Sequence, residues 1–156
     1  MGKVPVIIRV FKLASLPPPA RRPRSIAGVC RRVLRDERAD AQGEINVVFL
    51  DRRRMRLLNR RYLGHEHDTD VIAFRYAEDP GPVPGEHPFG DIFISTYQAK
   101  AQAKELGHTV LTEVMTLAAH GTLHLLGYDD KTAQGRDRMF RKQKLAIRGR
   151  RKGGGR

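Results

Sequence analysis

Two histidines and an acid pair carry the clearest chemistry in this sequence: the run from His120 to Asp130 reads HGTLHLLGYDD. Residues four apart on a helix lie one turn apart on the same face, so His120 and His124 can offer imidazole nitrogens to one ion. Gly127 permits the helix to stop and the chain to turn back. Asp130, six residues beyond the second histidine, then closes the site as a third ligand, with Asp129 as the alternative. Three protein ligands leave a coordination position open for water, as a catalytic divalent ion requires, and zinc is the expected ion. The plainer alternative is two satisfied histidines on a core helix followed by two turn aspartates. Paired imidazoles, a glycine turn and an acid pair together favour the metal.

The H-x3-H-x5-D spacing is similar to the H-x3-H-x5-H layout of metzincin zinc sites, with carboxylate in place of the last imidazole. In H-E-x-x-H proteases a glutamate after the first histidine acts as general base. Here that residue is Gly121, which argues against peptide hydrolysis. His65, Glu66, His67 and Asp68 form a second histidine and acid cluster, equally well explained as an exposed loop. His87 and His108 suit surface roles, and Phe74, Tyr76 and Phe93 at strand spacing suit a core.

Positioning these residues takes a helix buried on most sides, and Val110–Leu126 is apolar enough to be one. Upstream, Val4–Phe11 reads as a strand, and Ser25 as the cap of a helix with apolar Ile26, Val29, Cys30, Val33 and Leu34. Glu44–Leu50 reads as a second strand, and Asp51 caps a helix expected to bury Met55, Leu58 and Tyr62. Asp70–Tyr76 and Gly90–Ser95 read as strands around a proline-rich loop, Asp79–Pro88. Ser95 with Gln98 makes a capping box for a helix closed by Gly107. Thr132–Ile147 is a basic helix. Few βαβ repeats occur, so the expectation is an α+β fold: one small mixed sheet covered by helices, with the metal site on a buried helix and the following turn. Residues 1–147 read as one domain and 148–156 as a disordered basic tail.

Charge narrows the partners. Thirty Lys and Arg against seventeen Asp and Glu give a formal net charge of +13. Nine basic residues and no acid occupy positions 1–35, and six arginines with no acid lie between Arg52 and Arg61. Such blocks suit a polyanion, since each phosphate neutralised releases counterions whatever the base sequence. No apolar run approaches the roughly 20 residues of a membrane span. Arg9 and Lys12 interrupt the N-terminal apolar stretch, against a secretory signal. One cysteine, Cys30, cannot form an internal disulfide, which suits a reducing compartment. The expected location is the cytoplasm.

Three blocks resemble the YbeY family of metal-dependent ribosomal RNA maturation factors. The HGTLHLLGYDD run matches the family's HGxLHLxGYDH except at Asp130, where the family has histidine. Thr69-Asp70-Val71-Ile72-Ala73-Phe74 is similar to TDVLSF, and Gly90-Asp91-Ile92-Phe93-Ile94-Ser95 to GDIxIS. Asn59 and Tyr62 fit the preceding N-x-x-Y. The resemblance implies a metallo-endoribonuclease of α+β fold that prefers single strands. It also implies action on small-subunit ribosomal RNA ends and in ribosome quality control, with ribosomal RNA, the ribosome or ribosomal proteins as partners and no nucleotide cofactor. Where the family carries arginine after the tyrosine, this chain has Leu63. Arg60, one turn earlier, or His65 is the candidate for that catalytic role, beside a metal-bound water. Arg56, Arg60 and Arg61 are the expected RNA contacts. The alternative is a non-catalytic RNA-binding assembly factor with a structural metal, which Leu63 favours.

Overall fold

The computed structural model describes residues 6–76 and 88–154. Strands β1 (Ile7–Phe11), β2 (Glu44–Leu50), β3 (Val71–Arg75) and β4 (Pro88–Ser95) form one mixed sheet in the order β1-β2-β4-β3. The β1–β2 and β2–β4 pairs are parallel, and β3 runs antiparallel along β4. Five α-helices surround it: α1 (Pro23–Asp36), α2 (Arg52–Leu63), α3 (Thr96–Leu106), α4 (Val110–Leu125) and α5 (Ala133–Gly154). The α+β expectation holds.

Side chains alternate across a strand, so the register assigns each residue to a face. Ile8, Ile45, Val47, Phe49, Ile92 and Ile94 share one face and are buried. Against them pack α1, through Ile26, Val29, Cys30 and Val33, and α4, through Val114, Leu117 and Ala118. Burying each such large aliphatic side chain contributes about 1.5–3 kcal/mol. The other face carries Phe74 and Phe93, with ring centroids 5.9 Å apart, and Tyr62 of α2 meets Phe74 at 5.4 Å.

Several local expectations shift. Val4 and Pro5 lie outside the described residues, and β1 starts at Ile7. Ser25 is not the cap of α1: the helix starts at Pro23, whose fixed φ and missing N–H suit the first helical position. Tyr62 is not buried but 58% exposed, and Leu58 is half-buried. Asn59 is the buried partner of Met55, because its amide donates to the His67 carbonyl at 2.9 Å. Ser95 caps α3 through Gln98 N–H, while its own N–H donates to the Asp70 carbonyl, so only half of the capping box forms. Most of the Asp79–Pro88 loop, with His87, lies outside the described residues; Pro88 opens β4. Helix α5 runs past Ile147 to Gly154.

Candidate metal centre

Helix α4 begins on Thr109, whose hydroxyl accepts the Thr112 N–H, and ends in a turn around Gly127. Gly127 has φ +98°, a conformation L side chains rarely adopt, which sends the chain back along the helix end. The Tyr128 N–H then donates to the Leu123 carbonyl. This return brings Asp130 beside the two histidines. Among the described residues, His120, His124 and Asp130 are the group of potential ligands whose donor atoms lie within 4.8 Å of one another. The His65–Asp68 cluster forms no such group. There the two imidazoles stack at 5.0 Å, while Asp68 accepts from Arg52 and Arg56.

Hydrogen bonding decides what the trio can hold. His120 donates from Nδ1 to Gln143 Oε1, and His124 from Nδ1 to the Tyr128 carbonyl, each at 2.8 Å. With its proton on Nδ1, a neutral imidazole carries a lone pair on Nε2. The two Nε2 atoms lie 2.8 Å apart, and Asp130 Oδ2 is 3.4 Å from one and 3.9 Å from the other. With both rings neutral, three acceptors converge without a donor among them. A cation resolves that repulsion, and nitrogen and carboxylate donors fit a divalent one such as zinc. Burial first, then the neighbouring His120, pushes the His124 pKa below the ordinary imidazole value, which favours the lone-pair form. Asp130 is the most open of the three, its side chain 46% exposed against 19% and 27% for the imidazoles. Asp129 is outside that group and accepts the Lys131 N–H at 3.1 Å.

Gly121 has a packing reason to be glycine. A Cβ there would stand 2.5 Å from Ile92 Cγ2, so this position faces the sheet rather than the trio. Gly135, in the first turn of α5, is equally confined, with a Cβ 2.5 Å from the Asp129 carbonyl oxygen. It lets α5 press against the turn that carries the acids.

The remaining candidates are placed by other contacts. Arg60 lines a groove on α2 with Arg52, Arg53, Arg56, Leu57 and Glu66. Arg56 is held by Asp68 at 2.8 Å, and Arg61 lies over the Tyr62 ring. His65 is exposed, as is Leu63 at the end of α2. Among the described residues neither Arg60 nor His65 is hydrogen-bonded to the trio. Sequence reasoning missed Gln143, Tyr128, Glu37 and Lys142 around the histidines. One signal was available: Met139, Gln143 and Ala146 follow the i, i+4, i+7 spacing of a buried stripe, and an uncharged amide stands in it.

Fold and site together define an α+β protein with a histidine–histidine–carboxylate trio at the end of a core helix. Comparison with known proteins gives the family. The model of the family described as Endoribonuclease YbeY matches residues 19–149, and this chain belongs to that family. An Endoribonuclease YbeY of Geobacillus sp. (strain WCH70) is 44% identical over 114 residues, 69% of this chain and 73% of the relative. One of Bacillus mycoides (strain KBAB4) is 39% identical over 128 residues, covering 78% and 82%. The solution structure of a Thermotoga maritima protein superimposes with a TM-score of 0.56 at 22% identity, over 91% of this chain and 86% of that one, and supports the fold.

Proposed function

We propose that this chain is a metal-dependent endoribonuclease that prefers single strands, matures the ends of small-subunit ribosomal RNA and serves ribosome quality control. The observation that carries the reading is the convergence of both imidazole Nε2 atoms and the Asp130 carboxylate, while each Nδ1 is committed to its own acceptor. Family membership supplies the RNA substrate class. His120, His124 and Asp130 would hold the ion, with zinc the ion this donor set suits best. A bound divalent cation supplies a Lewis acid for a phosphoryl oxygen. Gln143 and the Tyr128 carbonyl keep both imidazoles aimed inward. Exposed arginines of α2, Arg60 and Arg61 foremost, hold flanking phosphates electrostatically. No helix among the described residues is long and apolar enough to cross a membrane, and the cytoplasm is the proposed site of action.

Elemental analysis of the purified protein, paired with cleavage of single-stranded RNA beside casein, tests this. The expected outcome is one zinc per chain, RNA cleavage abolished by chelator and by His124→Ala, and intact casein. Asp130→Asn should lose metal and Asp129→Asn should keep it; the reverse pattern transfers the ligand role to Asp129. The exposed Leu63 favours a second reading, an RNA-binding assembly factor that keeps metal for structure alone. Stoichiometric zinc and RNA binding without cleavage would establish that alternative.

A further inference from the structure

The two imidazoles of the trio are each held from behind, and both holds lead to the same helix. His120 reaches Gln143 directly. His124 reaches the Tyr128 carbonyl, and the Tyr128 hydroxyl donates to Glu37 Oε1, at the end of α1. Lys142 Nζ donates to the other oxygen of the same carboxylate at 2.7 Å, and its ammonium lies 5.3 Å from the Tyr128 ring centroid. Adjacent residues of α5 thus connect to the two histidines by separate routes. Met139 and Ala146, 1% and 0% exposed, fix the helix on either side of them. Arg32 adds a bond from α1 to the Ala146 carbonyl at 2.6 Å.

The hydrogen bond to the outer nitrogen decides which nitrogen carries the proton and where the ring points, and so how well the inner nitrogen binds metal. Gln143 is 8% exposed, so water is a poor substitute for its amide oxygen. We propose that Gln143 and Lys142 are positioning residues for the metal ligands, Gln143 through His120 and Lys142 through Glu37, Tyr128 and His124. Docking of α5 thereby sets the affinity of the centre. The inference rests on the metal reading above and adds to it which residues tune the site.

Zinc affinity of the full chain, measured by competition with a colorimetric chelator, tests it without recourse to activity. Gln143→Leu keeps the volume and removes the acceptor; the expected loss is about 10- to 100-fold in affinity, the range for deleting a partner of a metal-binding histidine. Gln143→Glu keeps an acceptor oxygen and should restore most of it. Lys142→Met should weaken zinc binding, whereas Lys144→Met, an exposed neighbour, should not. Melting in excess chelator separates positioning from general damage. The variants should melt near the parent without metal and gain less from zinc. Parental affinity in Gln143→Leu, or no rescue by glutamate, overturns the proposal. Should Gln143→Leu fail to fold, equal affinity in Lys142→Met and Lys144→Met overturns it instead. A parent chain that binds no zinc overturns the metal reading together with this one.

Discussion

Gly121→Ala puts the packing beneath the histidine motif under direct strain, and two opposed effects set its size. Alanine is the better helix former, worth about 1 kcal/mol in a helix interior. Against that, the new methyl would stand 2.5 Å from Ile92 Cγ2 and 3.3 Å from Val71 Cγ2. Overpacking of a filled core costs about 1–3 kcal/mol. The structure puts this case at the upper end. Ile92 is fully buried on β4, which is flanked by β2 and β3, and its branched side chain has few rotamers to escape into. The net expectation is a loss of about 1–2 kcal/mol, or a melting temperature lower by about 2–4 °C per kcal/mol in a chain of this size. A double-mutant cycle isolates the clash. Ile92→Ala alone should cost about 2–5 kcal/mol. In that background Gly121→Ala should become neutral or stabilising, a coupling of about 1–3 kcal/mol read by urea denaturation. If Gly121→Ala stabilises the parent chain by the full helix-propensity gain, the close approach to Ile92 is wrong. The same geometry means that Gly121→Glu cannot restore a protease base, because the carboxylate would enter the sheet core.

Three further outcomes follow from the surface and the core. Hydrogen bonds from Arg52, then Arg56, hold the Asp68 carboxyl at about 2, below its ordinary 3.8. That stabilisation is present above the ordinary value and disappears as pH falls toward the depressed one; Asp68→Asn should flatten the acid limb of the melting-temperature profile there, and an unchanged limb would refute the clamp. Replacing Arg56, Arg60 and Arg61 by alanine should weaken single-stranded RNA binding and lower its log–log salt slope by about 0.7 per lost phosphate contact, with Arg56 contributing least because Asp68 already holds it. Greater damage from deleting residues 149–156 would move the main contact surface to the C-terminal end. Burial pushes the Cys30 thiol up to about 11, so thiol reagents at pH 8 should label only denatured protein, and rapid labelling of the native chain would contradict its burial.

How much of this was legible in the sequence depends on whether the signal was local. Spacing alone placed His120 and His124 on one face, and Gly127 announced the turn that returns Asp130 to them. Strand β2, rich in β-branched residues, and the cap at Asp51 were equally readable, since each depends on neighbours within a few residues. Tyr62 failed because helical periodicity gives a stripe without saying where it ends. Asn59 took the buried place through a bond to the His67 carbonyl that no propensity encodes. The start of α1 was misread because Ser25 is a good cap in isolation, whereas Pro23 needs the helix to begin around it. Gln143, Lys142 and Glu37 stayed hidden as site residues because their partners lie far away in sequence. The reason for Gly121 required knowing that Ile92 lies opposite.

The bond between Glu37 and Lys142 joins residues 105 positions apart, and the Gln143 contact to His120 likewise needs α5. A ribosome extends a chain from its N-terminus at about 5–20 residues per second. The histidines therefore leave the exit tunnel before the amide and the ammonium that hold them. During translation the sheet and α4 can assemble while the trio still lacks its outer supports. Both outer supports wait for α5 to be synthesised. A chain that stalls short of α5 would present the HGTLH segment with neither the Gln143 amide nor the Lys142 ammonium behind it.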